Sequence, residues 1–206
     1  MKSYKTIQHS AEAEHTVERS RFIAHICRVE SREQAEQFIA QIKKEYWDAR
    51  HNVYAYALKT GESRCSDDGE PSGTSGMPTL EVITKQGFSD VCIVTTRYFG
   101  GILLGTGGLV RAYSKAAALA LEAAGECEAA ECAVYEMSVH YAFVDKLQRF
   151  FKENNCVLEN ADYAQEVRFR FYLKSELAEA FEKKLTDAFG GELSPKLIKN
   201  EFKFLS

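Results

Sequence analysis

The stretch Val91-Cys92-Ile93-Val94-Thr95-Thr96-Arg97-Tyr98-Phe99-Gly100-Gly101-Ile102-Leu103-Leu104-Gly105-Thr106-Gly107-Gly108 runs from an apolar, β-branched block straight into glycine. Five of the chain's 13 glycines fall within its last nine residues. An uninterrupted apolar run of this length reads as a buried strand, expected over residues 90–97. Beyond the glycines, residues 109–124 are apolar on most faces and Gly125 follows as a stop, so a long helix is expected there. Strand, glycine loop and helix together suggest a phosphate site, because bare amides at a helix N-terminus attract anions. The nucleotide fingerprints do not fit. A Walker A loop needs Lys where Thr106 stands, and a GxGxxG counted from Gly105 meets Val110 at its third glycine.

Charge makes the segment unusual. Between residues 91 and 121 there is no Asp or Glu, yet Arg97, Arg111 and Lys115 are present, in a 206-residue chain whose net charge is −4. Arg111 and Lys115 are four apart and share a helix face near its start, an unfavourable end for cations unless an anion lies there. One reading is an anion-binding or nucleic-acid-binding face of Arg97, Arg111 and Lys115 with the backbone of Gly100, Gly101, Gly105, Gly107 and Gly108. The other is glycines that merely allow tight turning and close helix packing. Tyr98 and Phe99, beside Arg97, are the candidates for stacking on bases, whereas Tyr46 and Trp47 are read as core.

The acidic balance argues against a protein that coats DNA or anchors through a polybasic patch, so any nucleic-acid contact has to be local. No segment approaches the ~18–20 uninterrupted apolar residues of a membrane span, and Met1-Lys2-Ser3-Tyr4-Lys5 leads into Glu12, Glu14 and Glu18 without the apolar block of a signal peptide. A cytoplasmic protein without membrane contact is expected. Its six cysteines contain no CxxC pair, which favours reduced thiols over a zinc site; neither metal nor cofactor is expected.

Upstream, residues 21–29 read as a strand. Ser31-Arg32-Glu33-Gln34 has capping-box form and opens an amphipathic helix through Ala35, Phe38, Ile39, Ile42 and Tyr46. Residues 52–58 and 63–66 read as a hairpin, and residues 67–76, with three glycines and Pro71, as an ordered loop or a mobile lid before a short helix at 77–85. Asp67, Asp68 and Glu70 supply three carboxylates within that loop. They are candidate metal ligands or general bases; the other reading is an acidic loop solvated at the surface, or Asp67 and Asp68 paired with Arg64, Arg97 or Arg111. His51 is a candidate catalytic or phosphate-contacting imidazole, or otherwise a capping or core histidine.

Downstream, Glu126, Glu128 and Glu131 interleaved with alanines have the composition of an exposed linker, which sets the expected domains at 1–132 and 133–206. The tail then reads strand, helix, strand, strand, helix, strand, with Ser175 capping the last helix and Gly190-Gly191 stopping it. That order makes the expected fold class α+β, with a ferredoxin-like βαββαβ tail.

Ser66-Asp67-Asp68-Gly69-Glu70-Pro71-Ser72-Gly73-Thr74, Thr96-Arg97-Tyr98-Phe99-Gly100-Gly101 and Leu104-Gly105-Thr106-Gly107-Gly108-Leu109-Val110-Arg111-Ala112-Tyr113 together resemble the signature of the YigZ/Impact family. The resemblance covers roughly residues 15–125, and the tail resembles the small C-terminal domain of bacterial members. It implies a first domain similar to the second domain of ribosomal small-subunit protein S-five, and a tail similar to the last domain of elongation factor G. Both similarities point toward the ribosome or RNA. The resemblance also implies eukaryotic relatives that regulate translation by competing for an activator of a stress kinase, through an additional N-terminal domain not expected here. Three functions stay open: binding RNA or a ribosome-associated partner to modulate translation, acting as an enzyme on a phosphorylated small molecule, and serving as a pure protein-interaction module. No triad spacing or nucleotide fingerprint favours the enzyme, and fold analogy raises only a prior.

Overall fold

The computed structural model describes residues 3–205. In chain order its elements are β1 Ser3–Ile7, β2 Ala11–Val17, β3 Ser20–Arg28, α1 Arg32–Glu45, β4 His51–Ala57, β5 Ser63–Ser66, α2 Gly76–Lys85, β6 Val91–Tyr98, α3 Gly105–Ala124, β7 Glu126–Val139, α4 Val144–Glu153, β8 Val157–Tyr163, β9 Val167–Lys174, α5 Ala178–Phe189 and β10 Lys196–Leu205. They divide into two compact units, built mainly on residues 3–128 and on residues 129–203. Among the described residues no helix is long and apolar enough to cross a membrane.

The first unit is an antiparallel sheet in the order β2-β3-β6-β4-β5. The two-residue period of a strand sorts its side chains. Val53, Ala55, Ala57, Val91 and Ile93 join the core under α2 and α3, while Tyr56, Leu58, Cys92 and Val94 face α1. Helices therefore cover both faces of the central strands, which explains why residues 91–94 are apolar without alternation. At the start of α1 the Ser31 hydroxyl accepts from the Gln34 amide at 3.3 Å, but the Gln34 side chain reaches back to the Glu30 amide, one residue beyond a standard capping box.

β2 is a strand that the sequence reading passed over. Its residues alternate half-buried and exposed, and it pairs with β3 through a two-residue turn at Glu18 and Arg19, both with φ near +50 to +65° (46° and 65°). Trp47, expected in the core, is 80% exposed just past the end of α1. The α1 face that reaches Ile42 turns away at the Tyr46 cap, so the apolar periodicity stops one residue short of it.

Residues 126–131 correct the linker reading. They form the first part of β7, and Cys127, Ala129 and Ala130 are buried, because Glu126-Cys127-Glu128-Ala129 alternates acidic and small residues as a strand with one wet face does. In the second unit β7 pairs antiparallel with β9 and β9 with β8, while β10 pairs with β7, which completes a β-α-β-β-α-β arrangement. One face is packed by α4 and α5 around Tyr135, Leu147, Phe151, Phe169, Phe171, Phe181 and Leu185. Ser175 does not cap α5. It lies in a one-turn 3₁₀ segment ahead of that helix, and its hydroxyl donates to Asn200 Oδ1 at 3.3 Å. Gly190 does end α5, at φ +61°.

Candidate functional site

The acidic loop is built around one carboxylate. Asp67 Oδ1 accepts from the Ser75 amide (3.0 Å), the Ser75 hydroxyl (2.6 Å) and the Gly76 amide (2.8 Å), and Oδ2 accepts from the Gly73 amide at 2.8 Å. Asp67 thus caps α2 from nine residues upstream, supplying what the Ser75 side chain does not. Burial pushes its carboxyl up, but the Ser75 hydroxyl and the three amides more than offset this and hold it below the usual range. Asp68 is also engaged, accepting from Lys43 Nζ at 2.6 Å and from the Asn52 amide at 2.7 Å. Neither pairs with Arg64, Arg97 or Arg111. Their oxygens are occupied by structural donors, so the metal-ligand and general-base readings of Asp67 and Asp68 do not fit this geometry. Among the described residues no three His, Cys, Asp or Glu side chains converge as a metal site.

Glu70 behaves differently. It is 8% exposed, and its Oε1 accepts from Arg97 at 2.7 Å and from the Tyr113 hydroxyl at 2.8 Å. Arg97 is 6% exposed; one terminal nitrogen donates to Glu70, the other lies 3.4 Å from the Ser20 hydroxyl, and its Nε is buried without a partner. Its guanidinium also lies over the Phe22 and Phe99 rings, at 5.4 and 5.6 Å from their centroids. Burial, and then the Glu70 charge, push the Tyr113 phenol well above its ordinary value, so it remains a donor.

Sheet register places His51 directly beside Arg97. His51 Nδ1 donates to the Asp68 carbonyl at 2.8 Å, which fixes the tautomer and leaves Nε2 free. Gly69, at φ +86°, backs this ring; a Cβ there would stand 3.5 Å from it. Arg50, His51, Glu70, Pro71, Arg97, Phe99, Leu103, Leu104, Gly105, Thr106 and Leu109 line a cleft of about 380 Å³ at the N-terminus of α3.

The glycines divide between structure and site. Gly100 is a point of close approach, because a Cβ there would sit 2.0 Å from the Arg19 carbonyl carbon, and its amide already donates to the Ser20 hydroxyl at 3.2 Å. Gly101 is a φ +85° turn residue. Helix α3 begins earlier than expected, so Gly107 and Gly108 belong to its first turns rather than to a loop. Gly105, at φ +68°, starts the helix, whose first turn has neither a side-chain cap nor an acidic residue.

Arg111 and Lys115 do share a face, but not with Arg97. They line a second recess with His15, Val17, Glu18, Ile102, Leu103, Leu104, Gly108 and Ala112. The three-cation face is therefore split in two, with Leu103 and Leu104 lining both halves. Tyr98 takes no part in either; its hydroxyl donates to Asp48 Oδ1 at 2.8 Å. Burial, and then Lys115, hold the His15 imidazole below its ordinary value, and both its ring nitrogens are buried without a partner.

Sequence reasoning missed His15, Arg50, Thr106 and Tyr113 as site residues. Arg50, next to His51, and Tyr113, one turn of helix past the glycines, were adjacent to the named candidates. His15 carried no signal while β2 went unread.

Comparison with known proteins covers both units. The Impact N-terminal domain matches residues 18–121, and a domain of unknown function, DUF1949, matches residues 137–192. The chain is 38% identical to the IMPACT family member YvyE of Bacillus subtilis, over 92% of this chain and 88% of that one. It is 32% identical to the IMPACT family member YigZ of Escherichia coli, over 86% and 89%. With mouse Protein IMPACT it shares 35% identity over 44% of this chain and 30% of the relative. A solved structure described only as that of a hypothetical protein aligns with a TM-score of 0.63 at 30% identity, covering 98% of this chain and all of the other. With these matches spanning most of its length, the chain belongs to the IMPACT family.

Proposed function

We propose that this IMPACT-family chain binds single-stranded RNA at the glycine-rich end of its first unit and thereby modulates translation in the cytoplasm, with ribosomal RNA or a ribosome-associated partner as its target. The observation that carries the reading is a mixed surface of unpaired cations and bare apolar side chains. Arg50, Arg111 and Lys115 are exposed and form no ion pair among the described residues. Between them Leu103 is 87% and Phe99 50% exposed. Exposed cations supply counterion release, and an exposed ring supplies a stacking platform that tolerates any base. The similarity of the two units to domains of ribosomal protein S-five and elongation factor G, implied by the family signature, points the same way, as does the translational role implied for eukaryotic relatives.

The test is fluorescence anisotropy with a 5′-hydroxyl single-stranded RNA oligomer across a salt series, together with co-sedimentation with ribosomes before and after nuclease. Binding is expected to be weak and salt-sensitive. The ring variant Phe99→Ala should weaken it without changing the salt slope. No binding at low salt would remove the RNA reading, and ribosome association that survives nuclease through a protein partner would move the function to the interaction class. The enzyme reading keeps one favourable observation, the His51 imidazole free at Nε2 in a cleft floored by a buried Glu70–Arg97 pair.

A further inference from the structure

The cleft beside the proposed RNA surface has features that a backbone-tracking groove does not need. Its floor is charged and nearly closed, since Arg97 and Glu70 are both buried and bonded to each other. Arg97 is held so that two of its nitrogens are used and Nε is left without a partner. An unmatched donor on a buried guanidinium costs free energy unless something supplies an acceptor. His51 faces the same space with its Nδ1 proton committed to the Asp68 carbonyl, so Nε2 is available to a ligand. Arg50 and the Thr106 hydroxyl line the space and form no hydrogen bond or ion pair among the described residues. Helix α3 begins here with amides that no side chain caps. The one carboxylate of the lining, Glu70, is already committed to Arg97 and Tyr113. The balance of the cleft is positive, and every polar group in it other than Glu70 can donate to, or bind a protonated oxygen of, an anion.

We propose that this cleft binds a terminal phosphate monoester carried on an apolar or aromatic body, as in a nucleoside 5′-monophosphate or the 5′-phosphorylated end of an RNA. A phosphate with three free oxygens matches a convergent set of Arg50, His51, Thr106 and the α3 amides. A phosphodiester inside a chain has only two free oxygens to offer the same set. The rest of the lining, Phe99, Leu103, Leu104, Leu109 and Pro71, is apolar and offers a flat ring a place to lie. About 380 Å³ accommodates a mononucleotide-sized group. The assignment goes beyond the RNA reading, which shares Arg50 and Phe99 with this cleft but alone uses Arg111 and Lys115 in the neighbouring recess.

Calorimetric titration of the full chain with adenosine 5′-monophosphate, inorganic phosphate and adenosine tests it. The monophosphate is expected to bind one to one, phosphate more weakly, and adenosine not measurably. Arg50→Glu and His51→Ala should each weaken the monophosphate at least tenfold, while Arg111→Ala/Lys115→Ala should leave it within about twofold. Because Arg50 is exposed, its variant separates loss of binding from loss of fold, which thermal melts verify. Tighter binding of a 5′-phosphorylated RNA than of its 5′-hydroxyl twin, lost in Arg50→Glu, would identify an RNA end as the source. Equal binding of the two oligomers with intact monophosphate binding would identify the free nucleotide. Absence of monophosphate and phosphate binding at millimolar concentration overturns the proposal, as does binding indifferent to both cleft variants. The RNA reading fails separately, by loss of 5′-hydroxyl RNA binding or its indifference to Arg111→Ala/Lys115→Ala.

Discussion

At the glycine-rich end of the first unit, Arg50, Arg111 and Lys115 stand exposed without a carboxylate partner among the described residues, whereas on the strands of the second unit Arg170 and Lys203 are each held by two. Arg170 meets Glu159 at 2.8 Å and Glu136 at 3.6 Å, and Lys203 meets Glu159 at 2.6 Å and Glu201 at 2.9 Å. Lys199 and Lys203 together hold the Glu201 carboxyl down at about 2. The two sets of cations are alike by residue type, yet Arg170 and Lys203 are not free to act on an external anion, because a cation already neutralised in place has no counterion to release. Arg97 represents a third state, buried and paired, where its charge maintains structure and shapes a cleft floor. The position of the neighbouring carboxylates, rather than the count of Lys and Arg, decides which cations are functional.

The largest effect expected from breaking this pattern is at the buried pair. Glu70→Ala leaves the Arg97 charge and the Tyr113 hydroxyl without their acceptor and should cost about 3–5 kcal/mol in denaturant unfolding, the scale for orphaning a buried charge. A loss below ~1 kcal/mol would mean that Arg97 reaches water and belongs with the exposed cations.

Asp67→Ala comes next. It removes four hydrogen bonds that organise the loop and cap α2, for about 1–3 kcal/mol. Since the folded carboxyl titrates below its unfolded value, its stabilisation is present above roughly pH 4 and is lost as pH falls through the folded value. The gap between wild type and variant in urea melts should therefore narrow toward acid pH, and a gap independent of pH would show that the ionised form is not what the amides bind.

Smaller still, Arg111→Ala/Lys115→Ala should leave stability within ~0.5 kcal/mol and lower the slope of log affinity against log salt by about 1.4, at roughly 0.7 per phosphate contact on single strands. Arg97 drops out of that sum, because its charge is already paired. The smallest effect is expected from Lys203→Ala, which should not alter RNA affinity and should change stability by no more than ~1 kcal/mol, the range of exposed ion pairs. RNA binding that weakened equally in Lys203→Ala and in the double variant would erase the distinction between the two regions.

Much of the framework could be read from local pattern. The face of α1, the hairpin at residues 52–66 and the β-α-β-β-α-β tail each have a periodicity that one side-chain environment enforces over several residues, and the strand at 91–94 has the unbroken apolar run that burial on both faces enforces. Where the pattern was ambiguous, the reading erred. Ala11-Glu12-Ala13-Glu14 and Glu126-Cys127-Glu128-Ala129 alternate as strands do, but Ala and Glu are poor strand formers in isolation, and it is pairing with neighbouring strands that overrides their propensity.

The site was legible as a set of residue types and not as an arrangement. Sequence alone determined that the glycines would be followed by a helix with no acidic residue before Glu122, that a carboxylate-rich loop would lie near it in the chain, and that Arg97, Arg111 and Lys115 would stand within one acid-free segment. Which carboxylate met which cation was decided only in three dimensions. Sheet register set His51 beside Arg97, loop closure assigned Asp67 to the α2 amides and Asp68 to Lys43, and the turn of α3 aimed Tyr113 at Glu70 while sending Arg111 and Lys115 to a different recess. The physical reason is range. Helical and strand periodicity are set by covalent geometry between near neighbours, whereas an ion pair depends on a separation of a few ångströms between residues such as Glu70 and Arg97, 27 positions apart in the chain.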